Sequence, residues 1–323
     1  MNNEKEHKKM MHGYEIYTKY FIRTSSNQHF LKYLADLLYD SIKYQFLHYY
    51  FLHVPKWRVL LRSFSKTRTL PDFAMVGPMK SATSDLSNHL LLHPNIMPPL
   101  AKEIWSVDPE SWRPYYPTLN NKNLTIKNKG TARCGYFTPM MHNTQLIENY
   151  HRSVPDAKII ITLRDPVYRA FSHWKWDILH GRKILGTNLI DKMPRYSNFL
   201  EYINHSIGYF PNIVESYAGA PMLQTGIYHK SVELWINQFG KDNVLILDAS
   251  EYFLDRQIVL TRIQEFLNLP HIEIPEYTSK VNENPIVSTP LSDEAASLLS
   301  SFYRPYNEKL YELIGKDFGW RNV

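Results

Sequence analysis

The 323-residue chain predicts an α/β protein with a central parallel sheet flanked by helices. Three strand–loop–helix units predict it. In the first, Phe73-Ala74-Met75-Val76 is a short apolar run broken by Gly77, and a helical stretch from about Thr83 to Leu92 is stopped by Pro94. In the second, Lys158 to Leu163 is rich in β-branched residues, as suits a strand buried on both faces. Asp165-Pro166 then supplies a cap and a first-turn proline for a helix through Tyr168, Phe171, Trp174 and Ile178. In the third, Val244 to Leu247 leads to a helix from about Arg256 to Leu267, closed by Pro270. Strands alternating with helices give parallel neighbours, and ligands of such sheets sit at the strands' carboxyl ends.

Residues 1–68 read as a helical extension, with aromatics such as Tyr17, Tyr20, Tyr44 and Phe51 at helical spacing, and residues 69–323 as the main domain. The extension is expected to pack on the body, with a membrane-surface or dimer-forming role as the alternative. The end of the chain, Leu291 to Trp320, is expected to dock as an amphipathic helix. Hydrophobic residues make up 44% of the chain, enough for a large core. The net charge of +6 suits an anionic ligand, but its dispersal argues against nucleic acid as a partner. Cys134 is the single cysteine, so no disulfide framework exists, and the polar N-terminus lacks a signal-peptide core. Charges at Lys32, Asp36, Asp40 and Lys43 interrupt the most apolar early stretch, which excludes an integral membrane span there. The expectation is a cytoplasmic protein; whether it forms homo-oligomers is left open.

The chemistry concentrates after the first two strands. Gly77-Pro78-Met79-Lys80-Ser81-Ala82-Thr83-Ser84 follows a strand and opens a helix, so unpaired N–H groups and the positive end of the helix dipole converge. Lys80 adds a point charge, Thr83 and Ser84 add hydroxyls, and the small Ser81 and Ala82 let an anion approach the backbone. The spacing is not that of the nucleotide triphosphatase loop, and no metal-binding carboxylate follows a later strand; a phosphate ligand without a metal is expected. Arg164 stands at the second strand end, and Ser172 lies two helical turns along. Arg-Asp-Pro alone also fits a simple capping turn.

Gly77-x-x-Lys80-x-x-Thr83-Ser84-x-Leu86 resembles the 5′-phosphosulfate loop of sulfotransferases that use 3′-phosphoadenosine 5′-phosphosulfate (PAPS). Leu163 to Trp174 resembles their 3′-phosphate segment at nearly every position. Gly226-Ile227-Tyr228, Phe266-Leu267-x-Leu269-Pro270 and Phe302 to Leu310 are similar to the same family, in order, over residues 71–321. The likeness points to the branch holding heparan-type carbohydrate sulfotransferases and their bacterial relatives. It implies a PAPS-binding, P-loop-like fold in which Lys80 contacts the bridging oxygen and the sulfuryl group. The backbone from Lys80 to Ser84 would hold the 5′-phosphate, and Arg164 and Ser172 the 3′-phosphate. Tyr228 and Lys280 would line the donor cleft, and the product is adenosine 3′,5′-bisphosphate.

Lys102-Glu103-Ile104-Trp105-Ser106-Val107-Asp108 resembles the family segment whose glutamate is the general base, which assigns that role to Glu103. Trp105 stands where relatives often carry histidine, and Tyr136-Phe137 replace a charged residue and its neighbour. Trp105, Asp108, Trp112 and Tyr136 are the expected acceptor-binding residues, their aromatic faces suited to a small and even cationic molecule. With no evident basic cluster for a polysulfated glycan, the expected acceptor is a small soluble metabolite offering a hydroxyl or amine. A glycan acceptor is the alternative. A P-loop kinase-like enzyme and a non-catalytic PAPS-binding module are the readings from other classes. His89 and His93, four residues apart, are read as structural rather than metal-binding.

Overall fold

The computed structural model describes residues 54, 56–65, 67–185, 198–213, 221–275 and 290–320. Most of the 1–68 extension, and Lys280, lie outside the described residues. The first described helix is α1 (Lys56–Ser63), followed by β1 (Phe73–Val76), α2 (Thr83–Leu90), β2 (Ile96–Met97) and a 3-10 helix (Pro109–Tyr115). Then come α3 (Leu119–Lys129), β3 (Arg133–Thr138), α4 (Thr144–Ser153), β4 (Lys158–Leu163), α5 (Pro166–Leu185) and α6 (Phe199–Tyr209). The remainder is α7 (His229–Phe239), β5 (Val244–Asp248), α8 (Ala249–Leu254), α9 (Arg256–Phe266) and α10 (Asp293–Ile314). All three expected strands form; the first and third of the expected helices end within two residues of their expected places, and the second runs on past Ile178 to Leu185.

The five strands make one parallel sheet in the order β2-β3-β1-β4-β5. Period-two alternation splits each strand between the two faces. Ala74, Val76, Ile159 and Ile161 pack with Tyr136, Tyr150 and Trp235, while Phe73, Met75 and Ile160 pack with Leu86, Val259 and Ile263. A third cluster joins α5, α6 and α10 through Trp174, Phe199, Tyr202 and Tyr303. The last helix thus docks on the body as the amphipathic pattern predicts. Among the described residues no helix is long and apolar enough to cross a membrane.

Two strands escaped the sequence reading. β2 has only two residues, and β3 carries Gly135 at its centre, which reads as a breaker. The glycine is there for packing: a Cβ would lie 2.4 Å from the Phe73 ring and 2.7 Å from that of Phe137. In this order the chain crosses from β1 to one side for β2 and β3, then to the other for β4 and β5. The reversal falls between β1 and β4, paired from Phe73↔Lys158 to Val76↔Ile161, and at such a reversal the loops diverge and leave a crevice at the carboxyl ends.

Candidate active site

Two loops meet at that crevice. Gly77 brings the first against β4, since a Cβ would lie 2.7 Å from both the carbonyl oxygen and Oγ1 of Thr162. Ser81 Oγ closes the turn by donating to the Pro78 carbonyl at 2.7 Å. Lys80 and Ala82 both have left-handed backbones, at φ 73° and 65°, so the amides between them turn toward one concavity, as in anion-binding nests. Ala82 also caps α2 without any side-chain hydrogen bond, so the first-turn N–H groups of Thr83, Ser84 and Asp85 have no helical acceptor. The helix dipole reinforces the same end. Asp85 does not fill the site: its carboxylate accepts from the Tyr252 hydroxyl at 2.7 Å.

Arg164 follows β4 and donates from Nη1 to the Lys80 carbonyl at 3.2 Å, which places guanidinium and loop in one cleft. Its backbone is fixed from behind by the Tyr228 hydroxyl, which donates to the Arg164 carbonyl at 2.8 Å. Tyr228 is 1% exposed, so it positions the arginine backbone instead of lining the cleft. Ser172 lies half-buried on α5.

The cleft gathers cations. Burial lowers the Lys80 ammonium to about 8, with Arg164, Lys102 and Lys175 adding repulsion. Burial also lowers Arg164, to which Arg169 contributes, and Lys175, to which Arg164 contributes. Positive groups that destabilise one another at close range would be relieved by a multiply charged anion among them. Lys80 Nζ lies 4.3 Å from the Trp176 ring centre, a cation–π contact that partly offsets its desolvation.

Glu103 reaches the same place through Lys102. The Lys102 ammonium, 6% exposed, donates to Ser84 Oγ at 2.6 Å and to Glu103 Oε1 at 3.0 Å, so the carboxylate is tied to the phosphate loop through one cation. Of the four expected acceptor contacts, Trp105 is 50% exposed two residues from Glu103, while Asp108 caps the 3-10 helix by accepting from the Glu110 amide. Trp112 and Tyr136 are 0% exposed and stack on each other at 4.1 Å. This corrects their expected place as pocket walls. Trp112 Nε1 donates to the Ser106 carbonyl and the Tyr136 hydroxyl to the Ile104 carbonyl, so the pair pins from behind the segment that carries Glu103.

Sequence reasoning missed Lys102, Trp176 and Arg169. Arg169 is 0% exposed; its Nη1 donates to the Met79 carbonyl at 3.4 Å and its Nη2 to the Met222 carbonyl, which braces the phosphate loop from beneath. The nearest signal was its place in the quoted Leu163–Trp174 run. His89 and His93 hold structural partners: Nδ1 of His89 lies 3.0 Å from the Tyr252 hydroxyl, and Nε2 of His93 lies 3.0 Å from the Pro270 carbonyl.

Residues 70–293 match the family model described as "Sulfotransferase domain". The chain is 23% identical to the "Membrane-associated sulfotransferase kil1" of Dictyostelium discoideum, over 80% of this chain and 68% of that protein. It is 24% identical to the mouse "Heparan sulfate glucosamine 3-O-sulfotransferase 3B1", over 79% of this chain and 66% of that protein, just under two thirds. The crystal structure of a sulfotransferase from Alicyclobacillus acidocaldarius shares the fold, with a TM-score of 0.57 at 21% identity over 79% of this chain and all of that one. The chain belongs to the PAPS-dependent sulfotransferase family.

Proposed function

We propose that the protein transfers the sulfuryl group of PAPS to a hydroxyl of a saccharide-like acceptor, with Lys80 and Glu103 as catalytic residues. PAPS supplies the activated sulfuryl group and leaves as adenosine 3′,5′-bisphosphate. The residues fit that donor. The uncapped first turn of α2 and the left-handed backbone at Lys80 and Ala82 offer N–H groups for the 5′-phosphate, with Ser81, Thr83 and Ser84 alongside. Arg164, with Ser172, would hold the 3′-phosphate. The Lys80 ammonium would neutralise charge on the leaving oxygen, a contact strongest at the transition state. Glu103 would accept the acceptor's proton at a carboxylate oxygen while Lys102 holds its other one; general-base catalysis of this kind contributes about 10²- to 10⁴-fold.

The observation that carries the proposal is the hydrogen bond from Arg164 to the Lys80 carbonyl across two strand ends, which brings the guanidinium against the loop that holds Lys80. Calorimetry with adenosine 3′,5′-bisphosphate and adenosine 5′-phosphate tests it. The bisphosphate should bind more tightly, and Arg164→Ala should erase the difference; equal affinities for the intact protein would refute the assignment.

The saccharide reading departs from the small metabolite that composition favours. With Trp112 and Tyr136 facing the core, the case for an aromatic pocket around a small cation loses two of its members. Trp105 is left as an exposed face on which a sugar ring can stack. The mouse relative's name, which specifies a glucosamine hydroxyl, supports the same choice. A screen of labelled donor against saccharides and small phenols or amines decides it; labelling of the small molecules alone would return the acceptor to that class.

A further inference from the structure

Trp57, Leu60, Leu61 and Phe64 recur at the spacing that normally turns one face of a helix into the core. Here that stripe faces outward: the four are 47%, 41%, 62% and 77% exposed, and α1 buries no residue. The less exposed side, Arg58, Val59 and Arg62, is mostly polar. Arg62 donates to the Pro114 and Tyr116 carbonyls of the 3-10 segment, and Arg68 donates to the Tyr116 carbonyl. The usual arrangement of an amphipathic surface helix is therefore inverted.

A second helix extends the surface. Thr67 accepts from the Leu119 amide at 2.7 Å, which sets the start of α3 beside the end of α1. α3 also buries nothing and exposes Leu119, Leu124 and Ile126. Residues 56–68 and 118–130 together hold eight lysines and arginines and no aspartate or glutamate, more than the chain's whole net charge of +6, although Arg62 and Arg68 turn inward and Lys122 pairs with Asp72. The rest of the protein is thus acidic on balance.

We propose that this face, the outward stripe of α1 with the adjoining α3, is a peripheral docking surface for an anionic lipid bilayer. Apolar side chains would enter the headgroup boundary while the cations meet the negative surface. Charge selects this occupant. Residues 1–53, seven of them basic and five acidic, carry net positive charge, so they do not complement a basic face, and a second copy would bring like charge to like. A nucleic acid or a sulfated glycan would satisfy the cations but leave the outward apolar stripe in water. The face flanks the entry to β1 and β3, whereas the phosphate loop and Arg164 follow the opposite ends of β1 and β4, so docking leaves the cleft open.

Flotation of the full chain with phosphatidylcholine vesicles, with and without about 30% phosphatidylserine to supply a negative surface, tests the proposal. The protein should float with the anionic vesicles, weakly with the neutral ones, and less as salt is raised. The charge-neutral double variant Leu61→Asn/Phe64→Asn should lose at least about tenfold in partitioning, since it removes apolar insertion only. Its affinity for adenosine 3′,5′-bisphosphate should not change, which separates this result from any failure of the donor assignment. Absence of wild-type flotation, or equal flotation of the double variant, overturns the proposal. So does a solution dimer split by the same substitutions without vesicle binding, or retention on heparin or duplex RNA without vesicle binding.

Discussion

The protein carries two concentrations of positive charge, and they work by opposite physics. In the cleft, Lys80, Lys102, Arg164 and Lys175 are drawn together, and burial depresses Lys80 to about 8. On the α1/α3 face basic residues flank exposed apolar side chains and neither segment contains a carboxylate, Lys122 pairing with Asp72 from outside the two segments. Charge held in an enclosed crevice makes the empty site costly, and a short, doubly phosphorylated ligand relieves that cost at contact range. Charge on an open face stays hydrated, acts over about a Debye length and is screened by salt. On the proposed readings, one arrangement would select a particular anion and the other would collect any anionic surface. Donor binding should therefore tolerate salt much better than vesicle binding.

The largest effect that would break this comparison lies at Glu103. Glu103→Gln should lower turnover by at least about 10²-fold, because the amide cannot take the acceptor's proton. Binding of adenosine 3′,5′-bisphosphate should persist, since Lys102 can still reach Ser84 Oγ. Wild-type turnover in that variant would move the base elsewhere. Next in size is Arg164→Ala, expected to weaken bisphosphate binding by roughly 10- to 100-fold, the scale of lost charge-assisted hydrogen bonds, while adenosine 5′-phosphate is little affected. Titration of both nucleotides reads the difference.

Lys80 gives a pH signature. Its folded value of about 8 lies below the ordinary 10.5, so between these limits the unfolded chain holds a proton that the folded chain has released. This group's contribution therefore opposes folding in full below about pH 8 and is relieved as pH rises toward 10.5. An anion bound beside it restores the ammonium. Binding of adenosine 3′,5′-bisphosphate near pH 9 should then take up protons, measurable as a buffer-dependent heat, and affinity should fall as pH rises through 8. Lys80→Met should abolish the uptake; a heat independent of buffer in the native protein would count against a desolvated Lys80.

The two regions also differ in how far they could be read from sequence. Gly77 to Ser84 and Arg164 were legible because their geometry is local: a strand end, a tight turn and a helix start place the groups whatever surrounds them. Lys102, Arg169 and Trp176 reach the cleft through space, from a loop and from positions along α5, and nothing in their own neighbourhoods announces it. Trp112 and Tyr136 were legible as aromatic but not as inward-facing, because the strand that turns Tyr136 into the core was hidden by Gly135. The α1 stripe shows the same limit. Its spacing establishes that Trp57, Leu60, Leu61 and Phe64 share a face, while only the fold shows that the shared face points outward.

The smallest effect sharpens the picture of a costly, preformed cleft. Ala82 sits at φ 65° and ψ 9° at the head of α2, a left-handed conformation that costs a residue with a Cβ about 1–2 kcal/mol. Glycine there would remove that strain but gain freedom in the unfolded chain worth about 0.5–1 kcal/mol. Ala82→Gly should therefore stabilise the protein by a net of about 0.5–1 kcal/mol, read by urea denaturation. The first-turn amides of α2 keep their places in the folded variant, so bisphosphate affinity should stay within about twofold, a difference well under the 1.4 kcal/mol that makes a tenfold change. A stabilised variant with much weaker binding would show that the strain helps hold the nest in its anion-binding shape, and that the alanine serves the ligand at the expense of the fold.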